Sequence, residues 1–121
     1  MENKEYQEEA SKTIPDNNSY QDRDYSIAEK KVLNALLGLS GEVGEVTDLF
    51  KKSFFQGHPL ELKEIIKEIG DVFWYMNLLC KAINIDFSTV MEMNIEKLRK
   101  RYGEHFDSNK SINREEYKNK N

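Results

Sequence analysis

Glu42 and Glu45 stand three residues apart, and Glu68 and Asp71 repeat that spacing further along the chain. Positions i and i+3 share a helical face, so on helices each pair would set two carboxylates side by side. Charged helical faces are usually solvated and balanced by Lys or Arg one turn away. Here Glu42, Glu45 and Glu68 have no basic residue three or four positions away in either direction, and Asp71 has only Lys67. Clustered carboxylates repel one another unless a cation neutralises them, and hard oxygen donors suit Mg²⁺ or Mn²⁺. The competing reading is a plain acidic surface. Asn94, Lys97 and Arg101 follow at i, i+3 and i+7, while Lys51 and Lys52 close an earlier segment. A cation site beside fixed Lys and Arg is what a polyphosphate ligand needs. Basic residues at helix C-termini also complement the helix dipole, which accounts for some of them.

Helices must position these groups. Ser26 and Glu29 fit a capping box, and Leu39, Val43, Val46 and Phe50 continue a helical pattern towards Phe55, with Gly57 as its stop. His58-Pro59 reads as a cap followed by proline at the first helical position. Ile65, Ile69, Val72, Met76, Leu79 and Ile83 then give one apolar face to a helix from Leu60 to about Asn84. Asp86 or Ser88 can cap a last helix carrying Met91, Ile95, Leu98 and Tyr102, with Gly103 as its end. A short polar helix over residues 3–13 leads the chain, and residues 15–25 read as a linker. The expected fold is an all-α bundle, a four-helix unit that forms oligomers. Each carboxylate pair immediately precedes two stripe residues and therefore flanks its core stripe, so antiparallel packing would converge all four. Gly38, Gly41, Gly44 and Gly70 lie inside the expected helices, where each costs about 0.8–1 kcal/mol relative to alanine. Close helix packing and room beside the carboxylates are compatible reasons for them.

The 121 residues, 22 of them acidic and 18 basic, suit one domain over residues 1–107 with a polar, flexible tail over 108–121. The net charge of −4 argues against a nucleic-acid polymer as partner. The longest apolar run, Val72 to Cys80, is too short to span a membrane, and the acidic opening is unlike a secretory leader. One cysteine excludes an internal disulfide and a zinc framework, so the expected location is cytoplasmic. Cys80 reads as a packed core thiol, and Phe73, Trp74 and Tyr75 as core or subunit interface. No phosphate-binding glycine loop or HExxH motif occurs.

Gly38-Leu39-Ser40-Gly41-Glu42-Val43-Gly44-Glu45, Lys67-Glu68-Ile69-Gly70-Asp71-Val72-Phe73-Trp74-Tyr75 and Asn94-Ile95-Glu96-Lys97-Leu98-Arg99-Lys100-Arg101-Tyr102 together resemble the MazG-like all-α nucleoside triphosphate pyrophosphohydrolases. The resemblance implies hydrolysis of a (deoxy)nucleoside triphosphate between its α and β phosphates, giving the monophosphate and pyrophosphate. It implies Mg²⁺, or Mn²⁺, held by Glu42, Glu45, Glu68 and Asp71. Asn94, Lys97 and Arg101 would position the phosphates, with Lys51 and Lys52 as helpers. It further implies a homodimer or homotetramer and a house-cleaning role in the nucleotide pool. The alternative is a non-catalytic helical oligomer that serves as a nucleotide-binding adaptor or sensor.

Overall fold

The computed structural model describes residues 2–20 and 24–113, and among these there are helices and no strands. The order is α1 (Asn3–Ser11), a 3₁₀ turn (Asn17–Tyr20), α2 (Ile27–Gln56), α3 (Leu62–Ala82), α4 (Phe87–Tyr102) and α5 (Ser108–Ile112). The 3₁₀ turn falls in the expected linker, closed by Asp16, whose carboxylate accepts from the Ser19 amide and hydroxyl. Linker residues 21–23 and tail residues 114–121 lie outside the described residues.

Local chemistry sets most helix ends. Ser26 Oγ accepts from the Glu29 amide at 3.1 Å while the Glu29 carboxylate accepts from the Ser26 amide at 3.2 Å, completing the expected capping box. Gly57 ends α2 in the left-handed region at φ 72°, and the next amide, that of His58, donates to the Lys52 carbonyl. His58 is thereby committed to closing α2. The extended residue before α3 is Glu61, not His58. Between α3 and α4, Asn84 adopts φ 57°, the Ile85 amide donates to Cys80 and the Asn84 amide to Lys81. This pair of bonds is the Schellman closure, and it leaves little slack in a connection of only four residues, 83–86. Asp86 precedes α4 without a side-chain cap. Within the expected tail, residues 108–112 form α5: Asp107 caps it through the Asn109 and Lys110 amides, and Lys110 Nζ donates to the Tyr102 carbonyl at the end of α4.

Helices α2 and α3 pack along each other, α4 packs with α5, and no other pair of helices shares more than marginal contact. On α2 the shielded residues Ala35, Leu39, Glu42, Val46 and Leu49 alternate at spacings of four and three; on α3, Ile65, Glu68, Val72, Tyr75 and Leu79 do the same. That is the 3.5-residue repeat of a two-helix seam. The seam is therefore rotated from the expected stripe: Val43 and Ile69 are exposed, and Glu42 and Glu68 take seam positions. Burial is sparse, with Ala35 and Cys80 the only buried apolar side chains among the described residues. Leu33, Leu36, Leu37 and Phe54 on α2 and Leu62, Ile66 and Phe73 on α3 form a second apolar surface left in solvent.

Gly38 is where the seam is tightest. A Cβ there would fall 2.1 Å from the Tyr75 ring, which lies directly over the glycine. Gly41, Gly44 and Gly70 meet nothing within 4 Å. Gly38→Ala is therefore expected to destabilise the chain by about 1–3 kcal/mol through overpacking, despite alanine's better helix propensity. Tyr75→Leu in the same chain should recover part of that loss, as coupled neighbours do. Urea unfolding checks both; an unchanged midpoint for Gly38→Ala would show that the ring shifts aside freely.

Candidate metal centre

The antiparallel register that puts Tyr75 over Gly38 also brings Glu68 and Asp71 of α3 opposite Glu42 of α2. One carboxylate oxygen from each of Glu42, Glu68 and Asp71 lies within 4.8 Å of the others. Glu42 and Glu68 are half-buried between aliphatic seam residues, and Asp71 is exposed at the seam edge. Glu45, one turn further along α2, stays outside this trio but adds its negative charge to the field at Glu42. The structure thus joins three of the four expected carboxylates and keeps the fourth beside them.

No lysine or arginine forms an ion pair with the trio among the described residues. Lys67, the one basic residue within a turn of Asp71, bonds Glu64 instead at 2.8 Å. Lys52 and Lys51 both turn to Asp48, at 2.7 Å and 3.7 Å. The Lys52 ammonium holds the Asp48 carboxyl below its usual range, and Asp48 in turn raises Lys52. Asp48 is a tether that the sequence reading did not single out, although its i,i+4 spacing to Lys52 was there to be read.

The consequence falls on Glu42. Partial desolvation in the seam pushes its carboxyl above the usual range; the charges of Asp71 and Glu68, a hydrogen bond with Glu68 and the charge of Glu45 push the same way. The donor set is all oxygen, converging, negative and unneutralised by the protein, which fits a hard divalent cation.

Asn94 and Lys97 are exposed on α4, and half-buried Arg101 lies 5.8 Å from the centre of the Tyr102 ring. Because α4 does not pack on the α2–α3 hairpin, these three residues are not brought to the carboxylates within one chain. Trp74 remains exposed, its ring edge-on to Tyr75 at 4.9 Å.

Residues 30–106 match the MazG nucleotide pyrophosphohydrolase domain, a span that takes in α2, α3, α4 and the carboxylate trio. The chain belongs to the MazG family. It is also similar to the Gene 37 protein of Mycobacterium phage L5, with 33% identity over 69 residues that cover 54% of this chain and 60% of that protein. No solved structure matches it significantly. Its MazG domain carries an acidic group able to hold a cation. No helix among the described residues is long and apolar enough to cross a membrane.

The raised Glu42 carboxyl links acidity to stability. The folded state holds this proton more tightly than the unfolded chain. Its destabilising contribution is therefore complete above the raised value and fades as pH falls towards the ordinary carboxylate range. Glu42→Gln should raise the melting temperature of metal-free protein at neutral pH and flatten its rise on mild acidification. Thermal melts in EDTA across that range check this; a lower melting temperature for the variant would mean that the charged carboxylate stabilises the seam.

Proposed function

We propose that this protein is a Mg²⁺-dependent nucleoside triphosphate pyrophosphohydrolase, with Mn²⁺ as a substitute, that removes unwanted (d)NTPs from the nucleotide pool. Water adds to phosphorus, the bridging P–O bond between the α and β phosphates breaks, and the monophosphate and pyrophosphate leave. The observation that carries this reading is the Glu42–Glu68–Asp71 cluster inside a MazG domain, with no ion pair to a lysine or arginine among the described residues.

Glu42, Glu68 and Asp71 would hold the cation, with Glu45 as a fourth carboxylate from the adjoining turn. When bound, the cation supplies neutralisation of the triphosphate's charge and activation of the attacking water. A carboxylate of the cluster not engaged in holding it orients that water by accepting its hydrogen bond. The Asn94 amide and the Lys97 and Arg101 cations donate to phosphate oxygens and stabilise charge on the leaving pyrophosphate. Lys51 and Lys52 are helpers at most while Asp48 engages them. The working unit is a homodimer or homotetramer in the cytoplasm. What supports assembly is the apolar surface left exposed on the described helices, at Leu37, Phe54, Phe55 and Leu62.

Pyrophosphate release from a panel of canonical and modified NTPs and dNTPs, with Mg²⁺, with Mn²⁺ and with EDTA, tests the reading. The expected result is metal-dependent release of pyrophosphate and monophosphate in equal amounts. Glu68→Gln and Asp71→Asn should each lower kcat by roughly 100-fold or more while leaving the helical circular dichroism unchanged. Undiminished turnover in either variant would remove that residue from the mechanism. Folded protein that releases no pyrophosphate from any nucleotide would overturn the assignment.

A further inference from the structure

Trp74 is the chain's single tryptophan, and it stands 58% exposed on α3, one turn beyond Asp71. At about 100° of rotation per residue, Asp71 lies about 60° from the seam residue Glu68 and Trp74 about 120°, in the same rotational sense. On α2, Glu45 and Gly41 lie about 60° and 100° from the seam residue Glu42, again in that sense. Equal senses on antiparallel helices fall on one side of their seam. Trp74, Asp71, Glu45 and Gly41 therefore edge the same face of the hairpin, the face on which the carboxylates open. Leu36, Phe54, Leu62, Ile66 and Phe73 rotate the opposite way, into the second apolar surface, so Trp74 is no part of that surface.

The ring contacts fix where the indole lies. Tyr75 covers Gly38, and the Trp74 ring meets Tyr75 at 86° with centroids 4.9 Å apart. A T-shaped contact of this kind occupies at most one face of the indole and leaves the other free. Across the seam, nothing stands within 4 Å of where a Cβ on Gly41 would be, so that edge of α2 leaves open space beside the cation site. Asp71 and Trp74 are separated by about 4.5 Å along the helix axis. An apolar protein surface laid here would gain one ring at the cost of covering Asp71 and Glu45. A ligand with a flat ring at one end and anionic oxygens a few bonds away matches both features, and a nucleotide is such a ligand.

We propose that Trp74 is the platform for the substrate's base. The base stacks on the open indole face, the sugar occupies the gap beside Gly41, and the phosphates reach the cation held by Glu42, Glu68 and Asp71. This rests on the pyrophosphohydrolase reading for the reaction and adds the direction of the substrate: its nucleoside end lies towards the C-terminus of α3. It also sets the breadth of recognition. Stacking accepts every base, because each has a π face, and grows with ring area, so purine nucleotides bind more tightly than pyrimidine nucleotides.

Because no other tryptophan contributes, the emission of the full-length chain reports this contact directly. An adenosine triphosphate analogue with a methylene bridge between its α and β phosphates, and inorganic tripolyphosphate, are each titrated with Mg²⁺. Calorimetry reads binding, and fluorescence reads the stack. The analogue should quench the emission saturably, whereas tripolyphosphate should bind without quenching. Trp74→Ala should weaken the analogue by about tenfold and leave tripolyphosphate unchanged, with Trp74→Phe between wild type and Trp74→Ala. Analogue that binds without altering the emission, or equal losses for both ligands in Trp74→Ala, would overturn the proposal while the reaction stands. Analogue that does not bind at all would overturn both. Quenching by the analogue in a wild type that releases no pyrophosphate would support the platform and defeat the pyrophosphohydrolase reading alone.

Discussion

Glu42 and Glu68 stand where a two-helix seam ordinarily carries leucine, with carboxylate oxygens within 4.8 Å of each other and of Asp71. Aliphatic neighbours half-bury the pair, and no lysine among the described residues forms an ion pair with it. The same register that seats the Tyr75 ring on Gly38 forces the carboxylates together, so hairpin packing and charge concentration cannot be separated. Such an arrangement opposes its own folding through like-charge repulsion and gains stability when a cation enters. A metal site made this way is also pre-organised, because the helices and not the ligand fix the donor positions.

Assembly is the second constraint. Only Ala35 and Cys80 are buried apolar residues among those described, while Leu37 and Phe55 are 75% and 84% exposed. Conformational entropy opposes folding by about 1–2 kcal/mol per residue, and so sparse a core does not offset it. The second apolar surface of the hairpin and the stripe on α4 are the areas that association of chains would cover.

Much of this was legible in the sequence where the determinants are local. Ser26 with Glu29 and Gly57 mark helix ends through their own hydrogen-bonding and backbone preferences, and the i,i+3 carboxylate spacing marked the site itself. The phase of the seam was not legible. Helix α2 is apolar around much of its circumference, at Leu36, Leu37, Leu39, Val43 and Val46, so periodicity alone cannot say which stripe meets α3 and which stays in solvent. Lys67 had Glu64 and Asp71 both within reach, and choosing between them is a matter of side-chain geometry. The closure of the α3–α4 turn uses one left-handed asparagine, Asn84, a conformation that few residues adopt and that no spacing rule anticipates. The helix at Ser108–Ile112 was missed because it buries almost nothing and depends on Asp107 and Lys110.

Titration of Mn²⁺ into metal-free protein, followed by calorimetry and by thermal melting, tests most directly whether the seam carboxylates form a cation site. Saturable binding is expected, with stabilisation of about 2.7 kcal/mol when free Mn²⁺ is a hundred times the dissociation constant. Both effects should be lost in Glu42→Gln/Glu68→Gln, although that metal-free variant melts higher than the wild type. Mn²⁺ that neither binds nor stabilises the folded wild type, or that binds the double variant equally well, would contradict the account.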